Sequence, residues 1–133
     1  MAVEIEKKFL LASDDWRRTA KGTIYRQGYL PAESGCTVRV RTAGLKGYLT
    51  IKGKSIGAAR PEFEYPIPLD DANEMLDILC KKPLIEKTRF LVKYSGFTWE
   101  IDEFSGENKG LLVAEIELEY PDQKFAKPPW LGR

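Results

Sequence analysis

The sequence predicts a mainly β protein of the α+β class, an eight-stranded antiparallel sheet closed into a barrel with a few flanking helices. Three observations carry that expectation. Apolar and polar residues alternate with period two in eight segments, at about 3–10, 23–30, 36–43, 47–53, 60–68, 86–94, 97–104 and 112–119. Turn-forming residues punctuate the gaps. The charges on the polar faces are grouped by sign, where a face tuned only for solubility would mix them.

Each element follows from its residues. In the first strand Val3, Ile5 and Phe9 oppose Glu4, Glu6 and Lys8. Ser13 can cap a short helix over Asp14 to Thr19, with acids in its first turn. The second strand ends at Pro31-Ala32-Glu33-Ser34-Gly35. In the third, Val38 and Val40 oppose Arg39 and Arg41; after Gly44-Leu45-Lys46-Gly47, Leu49 and Ile51 oppose Thr50 and Lys52. In the fifth, Phe63 and Tyr65 oppose Glu62 and Glu64. Asp70 or Asp71 is expected to cap a helix over Ala72 to Cys80, with Met75, Leu76 and Leu79 at helical spacing and Lys81-Lys82-Pro83 as its stop. Thr88, Phe90 and Val92 then oppose Lys87 and Arg89. A two-residue Ser95-Gly96 turn leads into a strand where Trp99 and Ile101 oppose Glu100 and Asp102. Past the Ser105-Gly106-Glu107-Asn108 turn, Ala114, Ile116 and Leu118 oppose Glu115, Glu117 and Glu119. The outward apolar set is expected to lie under the helices, and the segment from Lys127 to Arg133 to run extended.

Composition excludes several chemistries. The 133 residues, 15.1 kDa, fit one domain. With 21 Lys plus Arg against 20 Asp plus Glu the net charge is +1, so no basic excess marks a nucleic-acid or membrane surface. There is no His, which removes an imidazole base and His-ligated metals; Cys36 and Cys80 are too few for a zinc site. Any metal must be a hard cation held by oxygen. The start Met1-Ala2-Val3-Glu4 has no basic, then apolar run, and no stretch approaches 18 apolar residues. A cytoplasmic location with reduced thiols is expected. The Gly47 to Ser55 segment hints at a P-loop, but five residues separate its glycines where that loop needs four.

The same-sign pairs point to a site. Like charges on neighbouring positions of one face repel, so their recurrence along the strands predicts a charged face turned inward. An eight-stranded barrel is wide enough for one small ligand, and buried charges must be paired or bound. Carboxylate clusters without His or Cys favour Mg²⁺ or Mn²⁺, and Arg/Lys clusters favour phosphate. A polyphosphate carrying divalent cations meets both demands.

Glu4-Ile5-Glu6-Lys7-Lys8 resembles the ExExK signature of the CYTH family, the triphosphate tunnel metalloenzymes, and Arg39-Val40-Arg41, Lys52, Glu62-Phe63-Glu64, Glu86-Lys87-Thr88-Arg89, Asp102 and Glu115-Ile116-Glu117 follow in the family's order. Arg26-Gln27-Gly28-Tyr29-Leu30 and Pro128-Pro129-Trp130 are similar to segments of the short bacterial tripolyphosphatases. The resemblance implies a triphosphate held in a tunnel with Mg²⁺ or Mn²⁺. Glu4, Glu6, Glu115 and Glu117 would be metal ligands, with Asp102, Glu62 and Glu64 next in line. Lys8, Arg39, Arg41, Lys52 and Arg89 would grip phosphate, and Tyr29 and Lys87 would activate water. The resulting expectation is a metal-dependent phosphohydrolase cutting inorganic triphosphate to diphosphate and phosphate, as a monomer or homodimer. The competing expectations are a class IV adenylate cyclase, a thiamine or nucleoside triphosphatase, or a non-catalytic polyphosphate-binding domain. Family members continue past the Pro-Pro-Trp segment, so the single domain over 1–133 is expected to be either trimmed at its C-terminus or altered at that end of the tunnel.

Overall fold

The computed structural model describes residues 3–19 and 21–132, the side chains of 18 and 19 excepted. Met1, Ala2, Ala20 and Arg133 lie outside the described residues. Eight strands form: β1 (Val3–Leu10), β2 (Gly22–Leu30), β3 (Thr37–Ala43), β4 (Lys46–Lys52), β5 (Ala59–Ile67), β6 (Ile85–Tyr94), β7 (Phe97–Ser105) and β8 (Leu112–Glu117). They close into a barrel in the order β1-β5-β4-β3-β2-β6-β7-β8, every neighbouring pair antiparallel. Every strand has a partner on both sides, although β5 meets β1 over only Ala59 to Pro61.

β1 makes the closure, and it does so by dividing. Val3 to Ile5 pair with β5, and Glu6 to Leu10 pair with β8. The β6–β7 hairpin turns at Ser95 and Gly96, both with positive φ (50° and 85°), the twist-matched geometry of a two-residue turn.

The outward apolar face is covered in two places. Helix α1 (Leu69–Ile78) lays Ala72 and Leu76 on Val40, with Leu30, Leu49 and Leu84 around them. On the opposite side Trp16, Trp99, Ile101, Ala114, Ile116 and Trp130 form the larger core, with Phe9 and Phe125 packed edge-on against Trp99. Trp16 comes from a single 3-10 turn (Asp15–Thr19) where a short helix over Asp14 to Thr19 was expected; Ser13 Oγ accepts from Asp15 N at 3.4 Å. The end segment reaches back to pair Leu131 with Leu11, which seats Trp130 in that core. Phe63 faces outward as expected but stays 40% exposed; the α1 cluster meets β5 at Ile67, further along the strand.

The expected cap of the long helix is corrected. The helix starts at Leu69 rather than Ala72, with Pro68 at the N-cap and no side-chain cap; Asp70 and Asp71 lie inside the first turn. Pro68 C=O already accepts from Ala72 N at 3.0 Å, and the two aspartates complement the positive end of the helix from within. It also ends earlier, at Ile78, where Leu79 N and Cys80 N both turn to Met75 C=O.

Candidate active site

The pleat sends alternate residues of all eight strands inward, where they line a cavity of about 420 Å³. Both predicted water-activating residues, Tyr29 and Lys87, line it. So do the predicted phosphate-gripping residues Lys8, Arg39, Arg41, Lys52 and Arg89, and the carboxylates Glu4, Glu6, Glu62, Glu64, Glu115 and Glu117. Lys8 and Glu117 sit where the lumen meets solvent. Asp102 does not line the cavity; it is 1% exposed and sealed behind the wall.

The division of β1 distributes its carboxylates. Glu4 faces β5, where Lys52 donates to both its oxygens at 2.8 and 2.9 Å and also lies 3.3 Å from Glu62. Burial works to raise the Glu4 pKa, but a hydrogen bond from Glu62 and the hydrogen bond and charge of Lys52 outweigh it and hold it below the usual range. Glu62 moves the other way, raised by burial and by Glu4. Glu6 faces β8 and meets Glu115. Burial, then the charges of Glu115 and Glu4, push its pKa up to about 7. The nearest cation, Lys8, stands 3.6 Å from Glu6 and 3.8 Å from Glu115 with its side chain 60% exposed, too solvated to neutralise the pair.

The basic wall is held from behind. Asp102 accepts from Lys87 Nζ at 2.6 Å, from Arg89 Nε at 2.7 Å and from its second guanidinium nitrogen at 2.8 Å. Burial would raise the Asp102 pKa, but the hydrogen bonds and charge of Arg89, followed by Lys87, hold it down. Lys87 is lowered, chiefly by burial and also by Arg89, with Asp102 opposing. Arg41 is lowered by burial and by the charges of Arg39 and Arg89. Glu64 Oε2 is occupied by Thr50 at 2.9 Å and Arg41 at 3.4 Å. Nε of Arg39, Nε of Arg41 and Oε1 of Gln27 are buried without a hydrogen-bond partner. An unpaired buried polar atom costs about 1–3 kcal/mol, and these three belong to side chains that line the cavity.

Two of the predicted site placements stand apart. Asp102 does not line the cavity, and both its oxygens accept from Lys87 and Arg89. Tyr29 and Lys87 share no hydrogen bond. Lys87 stands opposite Tyr25 in the β2–β6 register, and Tyr29 lies four positions further along β2, roughly 13 Å at strand rise. The Tyr29 hydroxyl instead accepts from Gln27 Nε2 at 3.4 Å. Residues absent from the predicted set also line the lumen, notably Gln27, Arg60 and Glu100. Each was legible by alternation: Gln27 shares a face with Tyr29, Arg60 with Glu62, and Glu100 with Asp102. Arg60 donates to Gly53 C=O at 3.2 Å and to Thr37 at 3.4 Å.

The donor set fits a hard divalent cation. The lining offers carboxylate oxygens and neither His nor Cys, and Glu6 and Glu115 stand close enough that burial and the Glu115 charge together raise the Glu6 pKa. Among the described residues these carboxylates stand in pairs and do not form a preassembled cage of three or more.

The closed antiparallel barrel sets a basic wall against paired carboxylates around one cavity. The CYTH domain model matches residues 2–133, and the chain belongs to that family. It is 53% identical over 133 residues to an inorganic triphosphatase of Acetivibrio thermocellus, covering all of this chain and 85% of that protein. A crystal structure of an inorganic triphosphatase superposes with a TM-score of 0.68 at 32% identity, over 100% of this chain and 86% of that one. A Hippeastrum protein, named as an adenylyl cyclase candidate with dominant triphosphatase activity, shares the fold at a TM-score of 0.65 and 14% identity, over 92% and 81% of the two chains.

Proposed function

We propose that the chain hydrolyses inorganic triphosphate to diphosphate and phosphate with a divalent cation, Mg²⁺ or Mn²⁺. One observation carries the reading: a single cavity holds the Arg39 and Arg41 guanidiniums, each with an Nε that has no partner, together with the Glu6–Glu115 carboxylate pair, whose proximity raises the Glu6 pKa. The two families of charge match the two components of a metal–polyphosphate complex. The 53% identity to an inorganic triphosphatase supports the same choice.

The cation would be held by Glu6, Glu115 and Glu117, with Glu4 and Glu62 beside them. It supplies Lewis acidity and neutralises charge on phosphate oxygens when bound. The remaining work belongs to the chain. Arg39, Arg41, Arg89, Lys52 and Lys8 grip phosphate oxygens, with Arg89 held in place by Asp102 and Glu100, and stabilise the charge that develops as diphosphate leaves. Asp102 accepts one Lys87 N–H and aims the amine at the cavity. Burial and Arg89 lower the Lys87 pKa, the direction a group that takes the proton from the attacking water needs. Tyr29, with its oxygen accepting from Gln27, has its own O–H free to donate to a phosphate oxygen. Among the described residues no helix is long and apolar enough to cross a membrane. The chain is read as a cytoplasmic monomer or homodimer working on a small molecule, without nucleic acid or membrane.

Phosphate release should be measured from inorganic triphosphate, ATP, thiamine triphosphate and long polyphosphate, each with Mg²⁺ and with Mn²⁺. Inorganic triphosphate should lead. Cyclic AMP as the main product from ATP would move the chain to the cyclase class, and tight binding without turnover of any of the four would make it a polyphosphate-binding domain.

A further inference from the structure

Tyr25 stands outside the machinery described so far, yet three of that machinery's cations converge on its ring. It lies on β2, on the same face as Gln27 and Tyr29, opposite Lys87 and diagonal to both Arg41 and Arg89. The ring centroid is 4.9 Å from Arg89 Cζ, 5.0 Å from Arg41 Cζ and 6.0 Å from Lys87 Nζ. All three cations are buried, at 8%, 8% and 6% exposure. Their carboxylate partners do not spread evenly. Asp102 serves Lys87 and Arg89, whereas Arg41 has one contact, at 3.4 Å to Glu64, and its Nε has none. Three like charges in a dry wall repel one another, and the electron-rich face of an aromatic ring is a countercharge that takes up no phosphate-binding hydrogen. A carboxylate in the same place would bond the guanidinium N–H groups and repel an incoming anion.

We propose that Tyr25 is a positioning residue for the phosphate site: its ring face gathers Arg41, Arg89 and Lys87 and keeps their charged heads presented together to the cavity. The inference rests on the reading of that cavity as a triphosphate site. It assigns the ring face, not the phenol hydroxyl, as the working part. Phe104, 5.5 Å from Lys87 Nζ, flanks that amine alone. It is therefore the natural comparison, because it touches one of the three cations.

The test changes the ring's charge distribution at nearly constant shape. Position 25 is replaced by Phe and then by mono-, tri- and pentafluorophenylalanine in the full chain. Binding of the non-hydrolysable imido analogue of inorganic triphosphate is measured by calorimetry with Mg²⁺ present, alongside KM and kcat for inorganic triphosphate. Tyr25→Phe should leave the analogue's Kd within about twofold. Fluorination should then weaken it stepwise, by about tenfold at the pentafluoro ring, since desolvated cation–π contacts are individually strong enough for that. A residue that only fills space would give a flat series, and flatness overturns the inference. So does a loss already complete in Tyr25→Phe, which would give the role to the hydroxyl. These rings are close to isosteric, so the outcome does not depend on tolerance of a cavity; Tyr25→Leu adds a truncation arm and should weaken Kd at least as much as the pentafluoro ring. Wild-type chain that binds the analogue but turns over no inorganic triphosphate would sink the proposed activity alone, and the Kd series would still decide the role of Tyr25. Wild-type chain that binds no analogue would overturn both.

Discussion

Lys87 sits at the point where burial, two carboxylates and one guanidinium compete for one proton. Asp102 favours the charged amine, while burial and Arg89 disfavour it, and the net direction is down. If the free amine takes the water's proton, Lys87→Ala should lower kcat by about 10²–10⁴ with the imido analogue still bound. Lys87→Arg keeps the charge but cannot deprotonate, so it should not restore kcat. A variant with raised KM and intact kcat would make Lys87 a phosphate clamp instead. The acid pair gives a separate pH signature. The pKa of Glu6 is raised from 4.5 to about 7, so the folded chain holds that proton more tightly than the unfolded chain. Its contribution to stability is therefore complete below about pH 4.5 and is lost as pH rises through about 7. Asp102 has a lowered pKa and loses its contribution only in acid, below that window. In chelator, the thermal midpoint should fall between pH 5 and 8, and Glu6→Gln should flatten the fall. An equally steep fall in Glu6→Gln would assign it to another group.

Elements place these side chains more than local chemistry does. β1 carries both acid pairs because it leaves β5 and joins β8 between Ile5 and Glu6, which points Glu4 and Glu6 at different partners on one wall. Helix α1 contributes no residue to the cavity and acts through packing: Leu76 is fully buried against the sheet beside Val40. Leu76→Ala should cost about 2–5 kcal/mol in urea unfolding, the usual range for such a truncation, while KM stays unchanged. A rise in KM of the same order as the stability loss would show that the helix holds the basic wall in place. Seven of the strands were legible in the sequence because one face is apolar and the other charged; β2, with Thr23, Tyr25, Gln27 and Tyr29 on its inner face, lacks that contrast. The start of α1 was less legible. Aspartates suit both an N-cap and a first turn, and the choice was made by Pro68, whose carbonyl reaches Ala72. Past the helix, Lys81 N bonds Tyr29 C=O on β2, a contact between segments that no local pattern encodes.

At the scale of the whole molecule the net charge of +1 conceals a lumen sorted by sign. Alternation made most of that lining legible, since every predicted residue but Asp102 reaches the cavity. The sequence could not say which acid would be sealed behind the wall, nor which tyrosine would face Lys87. Both depend on how neighbouring strands are offset around a closed barrel, which is a property of pairing partners far apart in the chain. Sorting by sign also couples the two occupants of the tunnel. An anion bound alone lies close to carboxylates that repel it, and a cation bound alone lies close to guanidiniums; together each screens the other's penalty. Mg²⁺ and the imido analogue should therefore raise the thermal midpoint jointly by more than the sum of their separate shifts, because stabilisation follows the logarithm of occupancy and each ligand tightens the other. The Glu6→Gln, Glu115→Gln double variant separates this coupling from simple complex formation in solution. With the carboxylate charge gone, the analogue alone should bind at least as tightly as to wild-type chain, and Mg²⁺ should add little. A double variant that still gains the full joint shift would place the cation elsewhere, and one that loses affinity for the analogue alone would show that these glutamates organise the basic wall rather than oppose its ligand.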